Sequence, residues 1–306
     1  MDPTPPSPGG SHPDPPPDHP TCTRHPGRAT GLRCVRCDRP FCPQCLRDAS
    51  VGFQCVECLG LAGRGMSGGA GRERRAPTRS GQPLTIAGAA PTGRPLMVPG
   101  LIAVNVLIFI LTVAEAGSVT GNAGSSLFSE WSLRPDSVAN GEWWRLITAG
   151  FLHFGPLHLA FNMLALWVIG RDLELVLGRI RFLAVYLVGL LGGSAAALLF
   201  SGLDAETAGA SGAVFGLMGG LAVVLRRLRH SPAPALTLIA VNIVISFVVP
   251  NISIAGHIGG LVAGGLATAA MVYAPGHYRN QWQAALTVAL VVLLVLAMSL
   301  RATTMG

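Results

Sequence analysis

The chain has 306 residues, of which 50% are hydrophobic and only 12% are charged. A soluble domain carries about 25% charged residues, so the composition argues against an ordinary soluble enzyme. All 22 basic residues are arginine, and the formal net charge is +7. Most arginines precede residue 97 or separate apolar runs, which is typical of membrane topology and not of nucleic-acid binding. We therefore expect no nucleic-acid partner.

The first 95 residues differ in composition from the rest of the chain. Residues 1–20 contain nine prolines and no apolar core, which predicts a disordered tail and excludes a cleavable signal peptide there. Residues 21–60 hold all seven cysteines and predict a small zinc-binding module. Residues 61–95 are rich in Gly, Arg and Pro without periodicity, and we expect a flexible linker.

The cysteines and one histidine follow a regular ligand pattern of four pairs, and within each pair two residues separate the two ligands. The four pairs are Cys22 and His25, Cys34 and Cys37, Cys42 and Cys45, and Cys55 and Cys58. Eight such ligands match two tetrahedral zinc ions, and reduced thiols fit a cytoplasmic location. The ions would be structural, because a module of this size has too little core to fold unaided. Sequential and interleaved pairing both remain open on spacing alone.

The ligand spacing resembles that of the B-box-type zinc fingers, and this resemblance favours the interleaved pairing. We expect a module that docks a cytoplasmic protein partner or holds the N-terminus, with redox or zinc sensing as the alternative. A catalytic role is not expected, because no ligand position stays open for water.

Seven apolar segments follow the linker, and most approach the length of about 20 residues that a helix needs to cross the hydrocarbon core. A segment inside lipid must satisfy its own backbone hydrogen bonds, so we predict transmembrane helices. They lie at residues 97–114, 147–170, 180–201, 210–228, 234–250, 254–273 and 282–300. The predicted fold class is an all-α polytopic membrane protein in contact with the lipid bilayer.

The arginine distribution predicts the orientation of these helices. The N-terminal region and the connections after the second, fourth and sixth helices carry 19 arginines, whereas the opposite side carries three. Positive charge marks the cytoplasmic side, so we predict a multi-pass plasma-membrane protein with a cytoplasmic N-terminus and an external C-terminus. The connection at 115–146 contains three tryptophans and is expected to lie in the outer interface.

Two predicted helices begin with residues suited to nucleophilic catalysis. Ser211 opens the fourth helix within Gly-Ala-Ser-Gly, and His257 lies near the start of the sixth. Polar groups inside a bilayer are costly and are therefore candidates for function. Each residue alone is more typical of helix packing, since small residues and interface histidines are common in membrane helices.

Glycine spacing links the two residues. The fourth helix carries glycine at 212, 216 and 220, and the sixth carries it at 256, 260 and 264. Such stripes let helix backbones approach closely, and both helices run in the same direction. Ser211 lies one residue before the first glycine of its stripe, and His257 lies one residue after the first glycine of its own. One residue rotates a helix by about 100°, so the two side chains point to the same side and meet if the stripes face each other. A neutral His257 could then remove the proton of Ser211, and no acidic third member is evident.

The second predicted helix adds polar groups that could stabilise an oxyanion. His158 and Asn162 are four residues apart and project from one helix face, with His153 nearby. Imidazole and amide N–H groups, together with the unpaired amide of Ser211 at a helix start, suit that purpose. The alternative is that these side chains only bridge helices.

Together these residues resemble the rhomboid intramembrane serine proteases over about 96–275. The resemblance rests on Trp144-Arg145, His153, His158 with Asn162, Gly209 to Gly212, and Gly256-His257. It implies a core of six transmembrane helices and a seventh C-terminal helix within 276–306.

The resemblance also implies roles for individual residues. Ser211 would be the nucleophile and His257 the base, while His158, Asn162 and the Ser211 amide would bind the oxyanion. Gly209 would shape the turn, and Phe215 would stack on the histidine where some members have Tyr.

Glu174 matches a structural acidic residue of the family, and the substrates would be transmembrane helices of other membrane proteins. No cofactor is expected at the active site. The alternative is an inactive rhomboid-like protein that binds transmembrane clients, although such proteins typically lack the serine or the histidine.

Overall fold

A computed structural model describes residues 20–49, 52–59, 84–248 and 252–305 of the chain. The predicted proline-rich tail, apart from residue 20, and residues 61–83 of the predicted linker lie outside the described residues. The described part divides into a small cysteine-rich module and a helical region that begins at Met97.

The cysteine-rich module contains two short antiparallel hairpins. Strand β1 pairs with β2, and β3 pairs with β4. The strands are β1 (Thr21–Cys22), β2 (His25–Ala29), β3 (Leu46–Asp48) and β4 (Phe53–Cys55). The buried interior of the module consists of its seven cysteines with Phe41 and Leu46. So small an apolar core cannot stabilise a fold by burial alone, which is consistent with a metal-dependent module.

Each of the seven predicted apolar segments contains helix among its described residues, and shorter helices fill the long connection after the first. The first helix and the connection contain α1 (Met97–Ala116), α2 (Ser126–Trp131), α3 (Pro135–Ala139) and α4 (Arg145–Thr148). The remaining helices are α5 (Gly155–Ala165), α6 (Arg171–Leu177), α7 (Arg179–Phe200), α8 (Ser211–Arg227), α9 (Ala233–Val248), α10 (Ile254–Tyr273) and α11 (Arg279–Met305).

Four of the described helices are long and apolar enough to cross a membrane, namely α1, α7, α10 and α11. A bent pair made of Arg145–Phe151 and Gly155–Leu177 would be a fifth span. Helix α9 is apolar but shorter, and α8 has 17 residues. The polytopic helical fold is therefore confirmed, although fewer spans satisfy the length criterion than the seven predicted.

The second predicted helix differs most from its expected form. The sequence predicts one continuous helix over 147–170, but the chain turns by 92° between Phe151 and Gly155. Beyond the turn, α5 passes through a π-helical segment at Leu166–Gly170 into α6, so this helix ends at Leu177. Gly155 adopts a φ of 77°, a conformation that only glycine takes without strain, and this permits the turn.

Helices α7, α8 and α10 pack against one another through glycine residues. A Cβ added at Gly216 would lie 3.1 Å from the carbonyl oxygen of Gly260 and 3.4 Å from Gly264 Cα. The two predicted stripes therefore contact each other. Helix α7 also takes part, since a Cβ at Gly193 would lie 3.0 Å from Gly212 Cα. Close approach of three backbones fixes the relative positions of the helix starts that carry Ser211 and His257.

The last part of the predicted linker is ordered and buried. Ile86 and Ala87 belong to the main apolar cluster of the helical region, together with Val35 of the cysteine-rich module. Gln283 of α11 donates hydrogen bonds to the carbonyl oxygens of Ala87 (2.9 Å) and Met271 (2.7 Å). Near the end of the predicted linker, the apolar pair at 86–87 thus packs against the helices.

Candidate active site and metal clusters

One cavity of about 840 Å³ brings together every residue that the sequence predicts for catalysis. Its walls include parts of α5, α7, α8, α9 and the start of α10. The predicted residues that line it are Ser211, His257, His158, Asn162, Gly209 and Phe215. The rest of the lining is largely apolar, so polar interactions inside it are screened weakly.

Ser211 is the first residue of α8, directly after a tight turn. The turn depends on Gly209, whose φ of 139° is a conformation that other residues rarely adopt. The Gly209 amide donates to the carbonyl oxygen of Ala149 at 2.9 Å, which ties the turn to the segment before α5. The amide of Ser211 lies in the first turn of a helix, where backbone N–H groups have no partner within the helix.

His158 reaches this turn from α5. A Cβ at Gly209 would lie 3.0 Å from His158 Nε2 and 3.5 Å from Ser211 Oγ, so the imidazole and the hydroxyl both lie close to the Cβ position of this glycine. The backbone amide of Phe154 donates to His158 Nδ1 at 3.3 Å. Because that amide can only donate, Nδ1 is unprotonated and the ring carries its proton on Nε2. His158 therefore presents an N–H donor beside Ser211.

Asn162 lies one turn after His158 and lines the same cavity. Its side-chain amide donates to the carbonyl oxygen of His158 at 2.9 Å, and the residue is buried. This bond orients the amide beside the imidazole, so both side chains lie on one face of α5 as the four-residue spacing predicts.

His257 is held near the start of α10, where Ser253 caps the helix by accepting from the Gly256 amide at 3.0 Å. Its imidazole stacks on Phe215, with ring centroids 4.0 Å apart and an interplanar angle of 17°. Phe215 is four residues after Ser211 and so follows it by one turn of α8. The stack predicted from the family resemblance is present.

Two further contacts at the site were missed by sequence reasoning. Ser246 of α9 lies 2.7 Å from His257 Nδ1. Asn122 supports the turn before α5, because its side chain donates to the His153 carbonyl at 2.9 Å and accepts from the Gly155 amide at 3.0 Å. Both are single polar residues far along the chain from their partners, and no local pattern marks them.

The residues that form this geometry lie mostly in a part of the chain that is similar to known proteins. A family model described as "Rhomboid domain" matches residues 140–275, which include all six of the predicted residues that line the cavity. Residues 140–275 belong to the rhomboid family. The matched residues run from the connection before α4 to the end of α10, so α1, α11 and the N-terminal module lie outside the matched rhomboid domain.

Three relatives show how far the similarity extends. Rhomboid protease GluP of Bacillus subtilis is 38% identical over 195 residues, which cover 62% of this chain and 38% of GluP. RHOMBOID-like protein 4 of Arabidopsis thaliana is 30% identical over 216 residues, covering 60% of this chain and 54% of the relative.

Rhomboid-type serine protease 2 of Emericella nidulans is 32% identical over 137 residues, covering 42% of this chain and 27% of the relative. The aligned part of this chain thus spans between about a quarter and somewhat more than half of the length of these three relatives.

The connection between α1 and α5 is held by Arg145. Its side chain donates to the carbonyl oxygens of Ser129 (2.6 Å) and Ser132 (2.8 Å) and pairs with Glu142 at 2.5 Å. Trp144 donates to the Glu130 carbonyl at 3.1 Å and is half exposed. The Trp-Arg pair thus connects α4 to the end of α2 through these hydrogen bonds.

Glu174 lies at the opposite end of the rhomboid domain from Ser211. Its carboxylate accepts hydrogen bonds from the amides of Leu96, Met97 and Val98 at 2.7, 3.0 and 2.9 Å. These amides begin α1 and have no helical partners, so a buried carboxylate stabilises that helix end. The residue acts structurally, as the family resemblance implies.

The N-terminal module brings its eight predicted ligands into two clusters. One contains Cys22, His25, Cys42 and Cys45, and the other contains Cys34, Cys37, Cys55 and Cys58. The pairing is therefore interleaved, first pair with third and second with fourth. This result agrees with the B-box-like alternative and excludes sequential knuckles.

The ligand distances fit tetrahedral coordination. In the first cluster, His25 Nδ1 lies 3.4 Å from the sulfurs of both Cys42 and Cys45. In the second, the sulfurs of Cys37 and Cys55 are 3.9 Å apart. A tetrahedral zinc ion with sulfur ligands at about 2.3 Å has ligand–ligand edges of about 3.8 Å. Both clusters could therefore hold a metal ion.

The second cluster is connected to the rhomboid domain through Arg36. This side chain is almost fully buried; it donates to the carbonyl oxygen of Cys58 and, at 3.4 Å, to that of Leu175 in α6. The Ile86 amide donates to the Arg36 carbonyl at 3.2 Å. Burial lowers the pKa of the Arg36 guanidinium from its usual value, while the nearby cysteines oppose this effect. The module thus lies against the end of α6.

Proposed function

We propose that this chain is an intramembrane serine endopeptidase that cleaves the transmembrane helices of other membrane proteins near their outer ends. In this proposal Ser211 is the nucleophile and His257 is the general base. His158, Asn162 and the Ser211 amide bind the oxyanion, and Gly209 shapes the turn that presents Ser211. The names of the related rhomboid proteases support this assignment.

The chemistry would proceed in two steps. Ser211 Oγ attacks the scissile carbonyl carbon while its proton passes to His257 Nε2, and the carbonyl oxygen becomes an oxyanion. The Nε2–H of His158 and the amide of Asn162 donate to that oxyanion. His257 then gives its proton to the leaving amine, and a water molecule hydrolyses the acyl-enzyme with the same base.

The single observation that carries the proposal is the closeness of the imidazole of His158 and the hydroxyl of Ser211 to one point beside Gly209, the position that a Cβ would occupy there. The proton on His158 Nε2 makes this ring a donor toward the place where negative charge would develop. A helix-bridging role alone would not require an N–H donor held this close to a serine at the start of a helix.

The proposal also includes the membrane topology and the division of the chain. The N-terminus would be cytoplasmic and the C-terminus external at the plasma membrane, following the arginine counts. The division would comprise a tail at 1–20, a zinc module at 21–60, a linker at 61–95, a protease core at 96–275 and a final helix at 276–306. A cysteine-accessibility assay on each side of the membrane tests the orientation.

The proposed activity is tested with single substitutions and a reporter transmembrane substrate. Ser211→Ala and His257→Ala are each expected to abolish cleavage while the protein inserts normally. Matched controls are Ser299→Ala on α11 and His277→Ala in the preceding connection, which should retain activity. Cleavage by Ser211→Ala at the wild-type rate would refute the dyad. If the wild-type protein bound the reporter substrate but did not cleave it, an inactive rhomboid-like protein that binds transmembrane clients would be favoured.

We further propose that each cluster in the N-terminal module holds one structural zinc ion, the metal that Cys and His ligands at this spacing favour. Elemental analysis of the purified full-length protein should find two equivalents of zinc. Cys37→Ser should remove one equivalent, whereas His277→Ala should remove none. A different metal at full occupancy, or no metal in folded protein, would contradict this assignment.

A further inference from the structure

Ser246 is a buried hydroxyl on α9 in direct contact with the imidazole of His257. Its Oγ lies 2.7 Å from His257 Nδ1, and only 4% of the residue is exposed. A serine inside an apolar helix usually bonds only to its own backbone, one turn earlier. This one also bonds to a histidine on the neighbouring helix.

The hydrogen bonds of Ser246 define the protonation pattern of His257. Ser246 Oγ donates its one proton to the carbonyl oxygen of Asn242 at 2.8 Å. With that proton used, Oγ can only accept from His257, so Nδ1 carries the ring proton. In the neutral imidazole the other nitrogen, Nε2, then keeps its lone pair and can accept a proton.

We propose that Ser246 is a positioning residue for the general base, an inference that rests on the proposed function. It selects the Nδ1–H tautomer of His257 and fixes the rotation of the ring, so that Nε2 is available for the proton of Ser211. When Ser211 attacks, its proton moves to Nε2 and the ring becomes an imidazolium. The Nδ1–H bond to Ser246 then strengthens, because its donor carries positive charge.

Two contacts from different helices together determine the pose of the ring. Phe215 of α8 stacks on one face and defines the plane of the imidazole. Stacking alone leaves the ring free to exchange its nitrogens by rotation about χ2. The hydrogen bond to Ser246 of α9 removes that freedom. In a catalytic triad, an acidic residue holds the tautomer and orientation of the histidine in the same way.

A neutral hydroxyl fits this position better than a carboxylate would. Ser246 lies in an apolar helix, and a charge buried there would need a counter-charge to offset its desolvation. No acidic side chain lies among the described residues lining the cavity. The hydroxyl supplies orientation without that cost, although it stabilises the imidazolium less than an anion does.

The test uses a pair of variants that have nearly the same shape. Ser246→Thr keeps the hydroxyl, which can still bond to the carbonyl one turn earlier in a helix. Ser246→Val has the same branched shape and no hydroxyl. Thr237→Ala removes a hydroxyl at an exposed position of the same helix, outside the cavity lining, and is the control.

We expect Ser246→Val to lower kcat about tenfold with little change in KM, since one hydrogen bond to a group that becomes charged is lost. Ser246→Thr should remain within about threefold of wild type, and Thr237→Ala should be unchanged. The kcat and KM values are measured with a reporter transmembrane substrate in bicelles. Equal kcat values for the Thr and Val variants would overturn the proposal, as would a change confined to KM.

A fluorophosphonate probe separates this inference from the proposed function. Its phosphorus forms a bond to Ser211 Oγ and loses fluoride, while the serine proton passes to His257. An unlabelled wild-type protein would contradict the proposed function itself. Labelling of the wild type and of Ser246→Val at the same rate would refute only the role of Ser246. Slow labelling of Ser246→Val and fast labelling of Ser246→Thr is the expected result.

Discussion

The ring of Phe215 lies face to face with the imidazole of His257, at a centroid distance of 4.0 Å. The stack joins α8 and α10 one turn below Ser211. A flat ring limits how far the imidazole can tilt. Aromatic pairs contribute about 0.5–1.5 kcal/mol, which corresponds to a change in rate of about two- to tenfold, so we expect Phe215→Leu to lower kcat by that factor. Phe215→Tyr should retain activity.

Cleavage of a reporter substrate at saturating concentration measures this effect. Phe109→Leu, on α1 and outside the cavity lining, is the matched control for loss of a buried aromatic ring. If Phe215→Leu and Phe109→Leu had the same kcat, the stack would serve stability and not the orientation of His257.

Gly209 provides a second prediction, because its φ of 139° disfavours any side chain and a Cβ would lie 2.8 Å from His158 Cε1. Gly209→Ala should displace either the imidazole or the serine turn. Displacement of reacting groups by about 1 Å can lower rates about 100-fold, and we expect a loss of that order in kcat. The fluorophosphonate labelling rate of Ser211 gives an independent measurement.

Gly202→Ala is the control for this substitution, since a Cβ there meets nothing within 4 Å. It should retain both labelling and cleavage. Wild-type labelling of Gly209→Ala would show that the turn tolerates a side chain, and the role assigned to Gly209 would be wrong.

Much of this site follows from sequence patterns that are short and local. The pair His158 and Asn162 share a face because four residues complete about one helical turn. The glycine stripes of α8 and α10 predicted their contact because only small residues allow helix backbones to approach closely. The two groups of candidate metal ligands followed from ligand spacing, although spacing alone left their pairing open.

Other features depend on contacts that no local pattern records. The 92° turn before α5 lies inside a continuous apolar run, and Asn122, some thirty positions earlier, bonds to the backbone there. Ser246 has the same appearance as any packing serine until α9 and α10 are placed side by side. Ile86 and Ala87 lie in a glycine-rich segment, so their burial against the helices was not predicted.

The close packing of α8 and α10 yields a prediction about stability. A Cβ at Gly264 would collide with the backbone of Gly216, which cannot move aside as a flexible side chain can. We therefore expect Gly264→Ala to lower the free energy of unfolding by about 1–3 kcal/mol, the usual cost of overpacking. Thermal unfolding in detergent micelles measures the change.

The adjacent residue gives a control on the same helix. A Cβ at Gly265 would lie 3.8 Å or more from its nearest neighbours, which is ordinary van der Waals contact. Gly265→Ala should therefore unfold within about 0.5 kcal/mol of wild type. Equal destabilisation by both substitutions would mean that intrinsic helix effects, and not the contact between stripes, determine the result.

The last prediction concerns the contact between the cysteine-rich module and the rhomboid domain. Arg36 is 1% exposed and donates to the carbonyl of Cys58, which is a ligand residue of the second cluster, and to that of Leu175 in α6. Removing the guanidinium leaves both carbonyls without this donor. Hydrogen bonds from charged donors contribute about 1.5–3 kcal/mol each, so Arg36→Ala should speed metal release to a chelator at least about tenfold.

The matched control is Arg33→Ala, because Arg33 is partly exposed and pairs with Asp38 inside the module. It should release metal at close to the wild-type rate, since exposed ion pairs contribute little. Release is followed with a chromophoric chelator added to the full-length protein in micelles, where both clusters are measured together. Because Arg36 touches only the second cluster, the fast phase should account for half of the metal. Acceleration of the whole release would show instead that Arg36 stabilises the module as one unit.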